Sequence, residues 1–198
     1  MNFLAHLHLS GDHPDWIVGG FLGDFVKGLL KGQYPPEIEA GIQLHRTIDR
    51  FTDQHPLLRQ CHTLFTPELR RYSGIIVDIS FDHFLALHWA RYDGRELAEF
   101  NNQILDILLK PPIPLPDNAQ QFLQRMVSRD ILLQYRLAEV IPVVLQKTSQ
   151  RFRKANPLSH SGEQFLKQYD ALETLFFEFY PELEEFARNQ RALLAAPN

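Results

Sequence analysis

The chain has 198 residues, a net charge of -4 and 44% hydrophobic residues. This length and composition suffice for one sizeable core, which excludes a disordered chain and a small disulfide-stapled protein. The single cysteine, Cys61, excludes an intrachain disulfide and a thiolate zinc cluster. The first ten residues are unlike a signal peptide, and no stretch has the ~20 apolar residues of a membrane span. We therefore expect a cytoplasmic protein with no membrane partner.

Apolar residues recur mainly at helical spacing, which predicts an all-α chain forming a single domain over residues 1–198. In chain order, the predicted helices cover about residues 14–30, 36–53, 56–71, 75–89, 95–109 and 118–153, with a kink at Pro142. A proline-rich connector covers residues 111–116. The last helix begins near Glu163, and we expect Pro181 to interrupt it after an aromatic run that packs against the core.

The second predicted helix carries a histidine and an aspartate at a spacing that suits a metal ion. His45 and Asp49 are four residues apart and project from neighbouring turns of one helix face. A simple hydrogen-bonded His-Asp pair has the same spacing, so this pattern alone leaves both interpretations open.

The helix predicted over residues 75–89 contains two aspartates in strongly apolar surroundings. Asp78 and Asp82 are four residues apart, and His83 follows directly. Burying an unpaired carboxylate costs several kcal/mol or more, so such a segment normally supplies a cation. A divalent metal is one cation that fits, and a salt bridge from Arg46 or Arg50 is the alternative.

Two further candidates lie nearer the N-terminus. Asp24 follows a glycine-rich segment whose glycines permit close helix packing, and it has apolar neighbours. His6 and His8 would point to different sides of a helix, so we expect at most one ligand there and favour His6. The predicted ligands are His6, Asp24, His45, Asp49, Asp78, Asp82 and His83.

Histidines and aspartates from several segments, without cysteine, suit a hard or borderline divalent ion such as Mn²⁺ or Mg²⁺. Such an ion activates water and neutralises charge that grows on a phosphoryl oxygen. Other chemistries lack their motifs, because the chain has no nucleophile elbow, no phosphate loop and no H-E-x-x-H sequence. We interpret Cys61, beside His62, as a buried structural cysteine.

Several strings, in order along almost the whole chain, resemble the acyl carrier protein phosphodiesterase family, a divergent relative of the HD-domain phosphohydrolases. They are residues 1–9 (MNFLAHLHL), 23–28 (GDFVKG), 41–49 (GIQLHRTID), Asp78, 82–85 (DHFL), 88–89 (HW), 169–174 (YDALET) and 179–181 (FYP).

The resemblance implies an HD-like helical bundle and hydrolysis of the phosphodiester that joins 4'-phosphopantetheine to a serine of holo acyl carrier protein. It also implies manganese as the usual metal. The chain departs from the usual adjacent His-Asp order, because His45 and Asp49 are separated and the adjacent pair is the reversed Asp82-His83. Our candidate catalytic residues are Asp24, Asp82 and Arg46, with Arg46 placed to bind a phosphate oxygen through its planar guanidinium.

Acyl carrier protein, the partner that the resemblance implies, is a small acidic protein. Residues 120–160 contain seven Lys and Arg against two acids, which indicates one basic face. The predicted carrier-binding residues are Lys27, Arg46, Arg50, Arg151, Arg153 and Lys154. We expect no nucleic-acid partner. Two other functions stay open, a phosphohydrolase that acts on nucleotides or small phosphoesters and a non-catalytic helical module that binds the carrier protein.

Overall fold

The protein is all-α, as the hydrophobic periodicity predicts. The computed structural model describes residues 2–196, which contain helices and connecting segments without a strand. The helices are α1 (Phe3–Leu9), α2 (Pro14–Leu22), α3 (Pro36–Gln54), α4 (Pro56–Cys61), α5 (Ser73–Leu87), α6 (Leu97–Leu109), α7 (Asp117–Ser128), α8 (Ile131–Gln134), α9 (Val140–Ser149), α10 (Gly162–Lys167) and α11 (Tyr169–Ala195). One contiguous cluster of buried apolar side chains includes residues from all of them.

Helices α2 and α3 pack closely because glycines face each other across their contact. A Cβ atom on Gly19 would lie 2.3 Å from the Ile38 carbonyl oxygen, and one on Gly41 would lie 2.5 Å from that of Trp16. Real side chains do not tolerate such distances. The prediction that glycines permit close helix approach is therefore confirmed, and the contact holds the middle of α2 against the N-terminal part of α3.

Helix α1 is held at its N-terminus by a carboxylate from α5. The backbone amides of Leu4 and Ala5 donate to the two carboxylate oxygens of Asp82, at 2.9 and 3.0 Å. The first amides of a helix have no partner within it, and its dipole favours a negative charge there. Asp82 thus fixes the position of α1 relative to α5.

The aromatic run of the last helix packs into the core, as predicted. Phe176, Phe179 and Tyr180 are fully buried. The expected interruption at Pro181 is wrong, because α11 continues through this proline to Ala195. Buried side chains on both sides of Pro181, such as Tyr180 and Leu183, pack into the core, and this packing outweighs the hydrogen bond that proline cannot make.

Three predicted helices are shorter than their periodicity indicated. Helix α2 ends at Leu22 rather than near residue 30, and positive φ angles at Gly28 and Gly32 shape the loop that follows. The segment 56–71 is helical only to Cys61, with 3₁₀ turns after it. The segment 118–153 is divided into α7, α8 and α9, and its first break is at Asp130, which has a left-handed backbone with φ of 46°.

Candidate metal centre

His45 and Asp49 lie one turn apart on α3, on the side of the helix that also carries its buried isoleucines. His45 Nε2 is 3.3 Å from Asp49 Oδ2, and the His45 side chain is 3% exposed against 44% for Asp49. The ring of His45 occupies the space beside Gly23, where a Cβ atom would come within 2.2 Å of it. Glycine at this position therefore allows the end of α2 to lie directly against the imidazole.

Helix α1 adds a second histidine to this pair. His6 Nε2 is 3.0 Å from Asp49 Oδ1, and the His6 and His45 rings stack with centroids 3.7 Å apart and an interplanar angle of 15°. One ligand atom from each of His6, His45 and Asp49 lies within 4.8 Å of the others. Residues far apart in the chain thus converge at one point, which we call the His-Asp cluster.

The hydrogen bonding of His45 leaves a lone pair aimed at the carboxylate. His45 Nδ1 is 2.8 Å from the Gly20 carbonyl oxygen, which can only accept, so Nδ1 carries the hydrogen. In the neutral ring Nε2 is then an acceptor that faces the acceptor oxygens of Asp49. Two opposed acceptors at this distance repel unless a proton on Nε2 or a metal cation lies between them. This tautomer is also the one that a metal-binding histidine takes when a carbonyl orients it.

Burial and charge keep the other two members of the cluster in the forms that bind a cation. Burial and the neighbouring His45 lower the pKa of His6 to about 3, so its ring is neutral near pH 7. Burial alone would raise the pKa of Asp49, but its contacts with His45 and His6 bring it well below its usual range. His6 Nδ1 is buried without a hydrogen-bond partner among residues 2–196. The donor set therefore fits a divalent cation.

Two of the predicted aspartates lie beside the cluster. Asp24 Oδ1 is 3.9 Å from His45 Nε2, at an exposed position just after α2. Burial raises the pKa of Asp78, and the negative charge of Asp49 raises it further. Asp24 and Asp78 also line one cleft, of about 980 Å³. The cluster and the cleft thus meet at Asp24.

The structure does not bring Asp82 and His83 into the cluster. Asp82 is fully buried and binds the two amides of α1. His83 Nδ1 donates to the Tyr135 carbonyl at 2.7 Å, and its Nε2 lies 2.8 Å from the Tyr169 hydroxyl. Both side chains have protein partners that satisfy their hydrogen bonds, so the burial of Asp82 is compensated by helix amides rather than by a cation.

The predicted basic residues have different surroundings. The Arg46 guanidinium donates to the Gly28 and Val26 carbonyl oxygens, both at 2.8 Å, and so holds the loop that carries Asp24. The other predicted carrier-binding residues are exposed: Lys27, Arg50, Arg151, Arg153 and Lys154.

Two contributors to the site were missed by sequence reasoning. The Gly20 carbonyl sets the tautomer of His45, and Gly23 makes room for its ring. Both belong to the glycine-rich segment that precedes Asp24, whose composition was the available signal. Its role beside the imidazole follows only from the packing of α2 on α3.

Fold and site together define an all-helical protein with a His-Asp cluster suited to a divalent cation. The family model for acyl carrier protein phosphodiesterase matches residues 1–183. The chain belongs to this family. It is 37% identical over 195 residues to the acyl carrier protein phosphodiesterase of Escherichia coli, covering 94% of this chain and 97% of that one. It is 38% identical to the one of Yersinia pestis, covering 96% and 100% of the two chains.

A third relative, the acyl carrier protein phosphodiesterase of Klebsiella pneumoniae, is 36% identical over 199 residues. No solved structure matches the chain. In residues 2–196, none of the helices has the length and apolar character needed to cross a membrane.

Proposed function

We propose that this protein is a metal-dependent phosphodiesterase that hydrolyses the bond between 4'-phosphopantetheine and the serine of holo acyl carrier protein. The products are apo carrier protein and free 4'-phosphopantetheine. The observation that carries the metal dependence is the His-Asp cluster, where His45 Nε2 faces Asp49 and lies 3.9 Å from Asp24, a residue that lines a large cleft. Family membership supports the substrate.

His6, His45 and Asp49 would hold the cation, with Asp24 and Asp78 beside them. When bound, a divalent ion makes water a stronger acid and neutralises charge on a phosphoryl oxygen. We propose Mn²⁺, with Mg²⁺ as the other ion that this oxygen and imidazole donor set suits. The metal is proposed from the donors and from the family resemblance.

The chain's own residues have three tasks in this proposal. The Gly20 carbonyl orients His45 and keeps a hydrogen on Nδ1. The Asp24 carboxylate lies between the cluster and the cleft, where an oxygen of this side chain can accept the proton released by the attacking water. Arg46 acts as a positioning residue, because its bonds to the Val26 and Gly28 carbonyls hold the Asp24 loop in place.

Exposed basic residues support recognition of an acidic carrier protein. Lys27 lies in the loop that carries Asp24, Arg50 follows Asp49 on α3, and Arg151, Arg153 and Lys154 follow α9. Such charges speed the encounter with an acidic partner and orient it. We propose a cytoplasmic enzyme that acts as one HD-like domain over residues 1–198, without nucleic-acid or membrane partners.

The decisive experiment is hydrolysis of purified holo carrier protein in Mn²⁺, followed by the mass of the carrier. We expect conversion to the apo form, loss of this activity with chelator and its return when metal is added. Carrier binding without hydrolysis in Mn²⁺ would support the non-catalytic module instead. Faster turnover of nucleotides than of holo carrier would support the general phosphohydrolase.

A further inference from the structure

A cleft of about 980 Å³ lies between the N-terminus of α1, helix α5 and helices α7 to α9. Asp24 joins this cleft to the His-Asp cluster, because it lines the cleft and lies 3.9 Å from His45 Nε2. The volume is at the upper end of the range of about 300–1,000 Å³ that is typical of small-molecule sites. A ligand whose reacting group lies at the cluster would therefore continue into this cleft.

One wall of the cleft is aromatic and begins beside Asp24. The rings of Phe3 and Phe122 stack with centroids 4.2 Å apart, and Phe25 lies 5.9 Å from Phe122. Helix α9 adds Val140, Val143 and Val144. These side chains offer apolar surface to an elongated ligand.

Polar groups interrupt this apolar surface at several points. The carboxamides of Asn118, Gln134 and Gln150 line the cleft and can donate to carbonyls or accept from amides. Arg125, Arg129, Lys147 and Arg151 also line it and are exposed. Apolar walls with a few amide side chains and a basic rim suit a neutral, amide-containing chain attached to an acidic macromolecule.

We propose that this cleft receives the pantetheine arm of the carrier protein, with the phosphodiester at the Asp24 end. The inference rests on the proposed function. The arm carries a gem-dimethyl group, two amides and a terminal thiol, which match the apolar wall and the carboxamides. The serine lies on the other ester oxygen, so the carrier stays outside and its acidic surface meets the basic rim.

Cysteine footprinting of the full protein tests this placement without relying on catalysis. Val143→Cys puts a thiol in the cleft at a position that is 44% exposed. Val127→Cys is the matched control, since Val127 is a helical valine that is 39% exposed and does not line the cleft. The native Cys61 adds little background, because it is 1% exposed and burial raises its pKa to about 11.

The alkylation rate of each introduced cysteine would be measured in the presence of chelator, so that no hydrolysis occurs. The protein would be saturated either with apo carrier or with holo carrier whose terminal thiol has been capped beforehand. We expect the holo carrier to slow labelling of Val143→Cys about tenfold relative to the apo carrier, the factor for about nine-tenths occupancy. The two carriers should affect Val127→Cys equally. Equal labelling of Val143→Cys with both carriers would overturn the inference.

Wild-type hydrolysis of holo carrier separates this inference from the proposed function. If the wild-type protein hydrolyses holo carrier but Val143→Cys is not protected, the cleft assignment is wrong and the function stands. If Val143→Cys is protected but the wild-type protein does not hydrolyse the carrier, the arm occupies the cleft and the function is wrong.

Discussion

Helices α3 and α5 each carry a histidine and a carboxylate that look alike in the sequence but have opposite surroundings in the fold. On α3, His45 Nε2 faces Asp49 with its other nitrogen already bonded to a carbonyl. On α5, Asp82 binds two helix amides and His83 has a partner for each ring nitrogen. A histidine beside a carboxylate can help to hold a cation only where the protein's own hydrogen bonds leave one ring nitrogen facing that carboxylate.

The largest expected effect comes from removing the carboxylate of the α3 pair. Asp49→Asn replaces one charged ligand by a neutral amide, and we expect the turnover of holo carrier to fall by about 10³-fold or more, with loss of tight Mn²⁺ binding. Asp53→Asn is the matched control, because Asp53 lies one turn further along α3 and is exposed. Near wild-type turnover of Asp49→Asn would remove Asp49 from the site.

Gly23→Ala tests whether the packing of α2 sets the position of His45. The added Cβ atom would lie 2.2 Å from the His45 ring, so the imidazole must shift. We expect Mn²⁺ affinity to fall by about 10–100-fold in calorimetry, as for other changes that reorient a metal-binding histidine. Gly74→Ala is the control, since its Cβ would meet nothing within 4 Å. Equal affinities of the two variants would show that His45 is not held by this contact.

Asp82→Ala should act mainly on stability if its carboxylate anchors α1. The change leaves the buried amides of Leu4 and Ala5 without acceptors, and each orphaned amide costs about 1–3 kcal/mol. We expect the free energy of unfolding in urea to fall by roughly 2–4 kcal/mol. Asp106→Ala, at an exposed position of α6, should stay within about 0.5 kcal/mol of wild type. An unchanged stability of Asp82→Ala, with Mn²⁺ binding abolished, would instead make Asp82 a ligand.

The free energy of unfolding should depend on pH because Asp82 titrates differently in the folded and unfolded protein. Burial raises its pKa from 3.8 to about 7, so between these values the folded protein binds a proton that the unfolded chain releases. This stabilisation is complete below about pH 4 and is lost as the pH rises through 7.

Asp82→Asn lacks this titration. In chelator, the unfolding free energy of wild type relative to Asp82→Asn should therefore fall by on the order of 2–3 kcal/mol between pH 4.5 and 7.5. A difference that is independent of pH would contradict the assignment of this titration to Asp82.

Helix α3 shows how much a sequence can predict. Its prolines and apolar spacing gave its start and end to within a residue, and the same spacing gave the adjacency of His45 and Asp49. Both features depend on residues a few positions apart. They follow from helix geometry, which the sequence expresses directly.

Asp82 and His83 show where such reasoning ends. Their burial was predicted, but the groups that compensate it were not. Asp82 accepts from amides of α1, and His83 contacts the Tyr135 carbonyl and the Tyr169 hydroxyl. These partners are far away in sequence, so local spacing could not distinguish them from a cation. The break between α7 and α8 at Asp130 was also missed. Asp130 has a left-handed backbone, but neither proline nor glycine marks this position in the sequence.

Anomalous diffraction from crystals grown with Mn²⁺ would show whether the His-Asp cluster holds the metal ion. We expect one strong peak bounded by His6 Nε2, His45 Nε2 and the Asp49 carboxylate, with Asp24 or Asp78 near enough to join them. A Mn²⁺ peak at Asp82 and His83, or an empty His-Asp cluster in a protein that hydrolyses holo carrier with Mn²⁺, would contradict it.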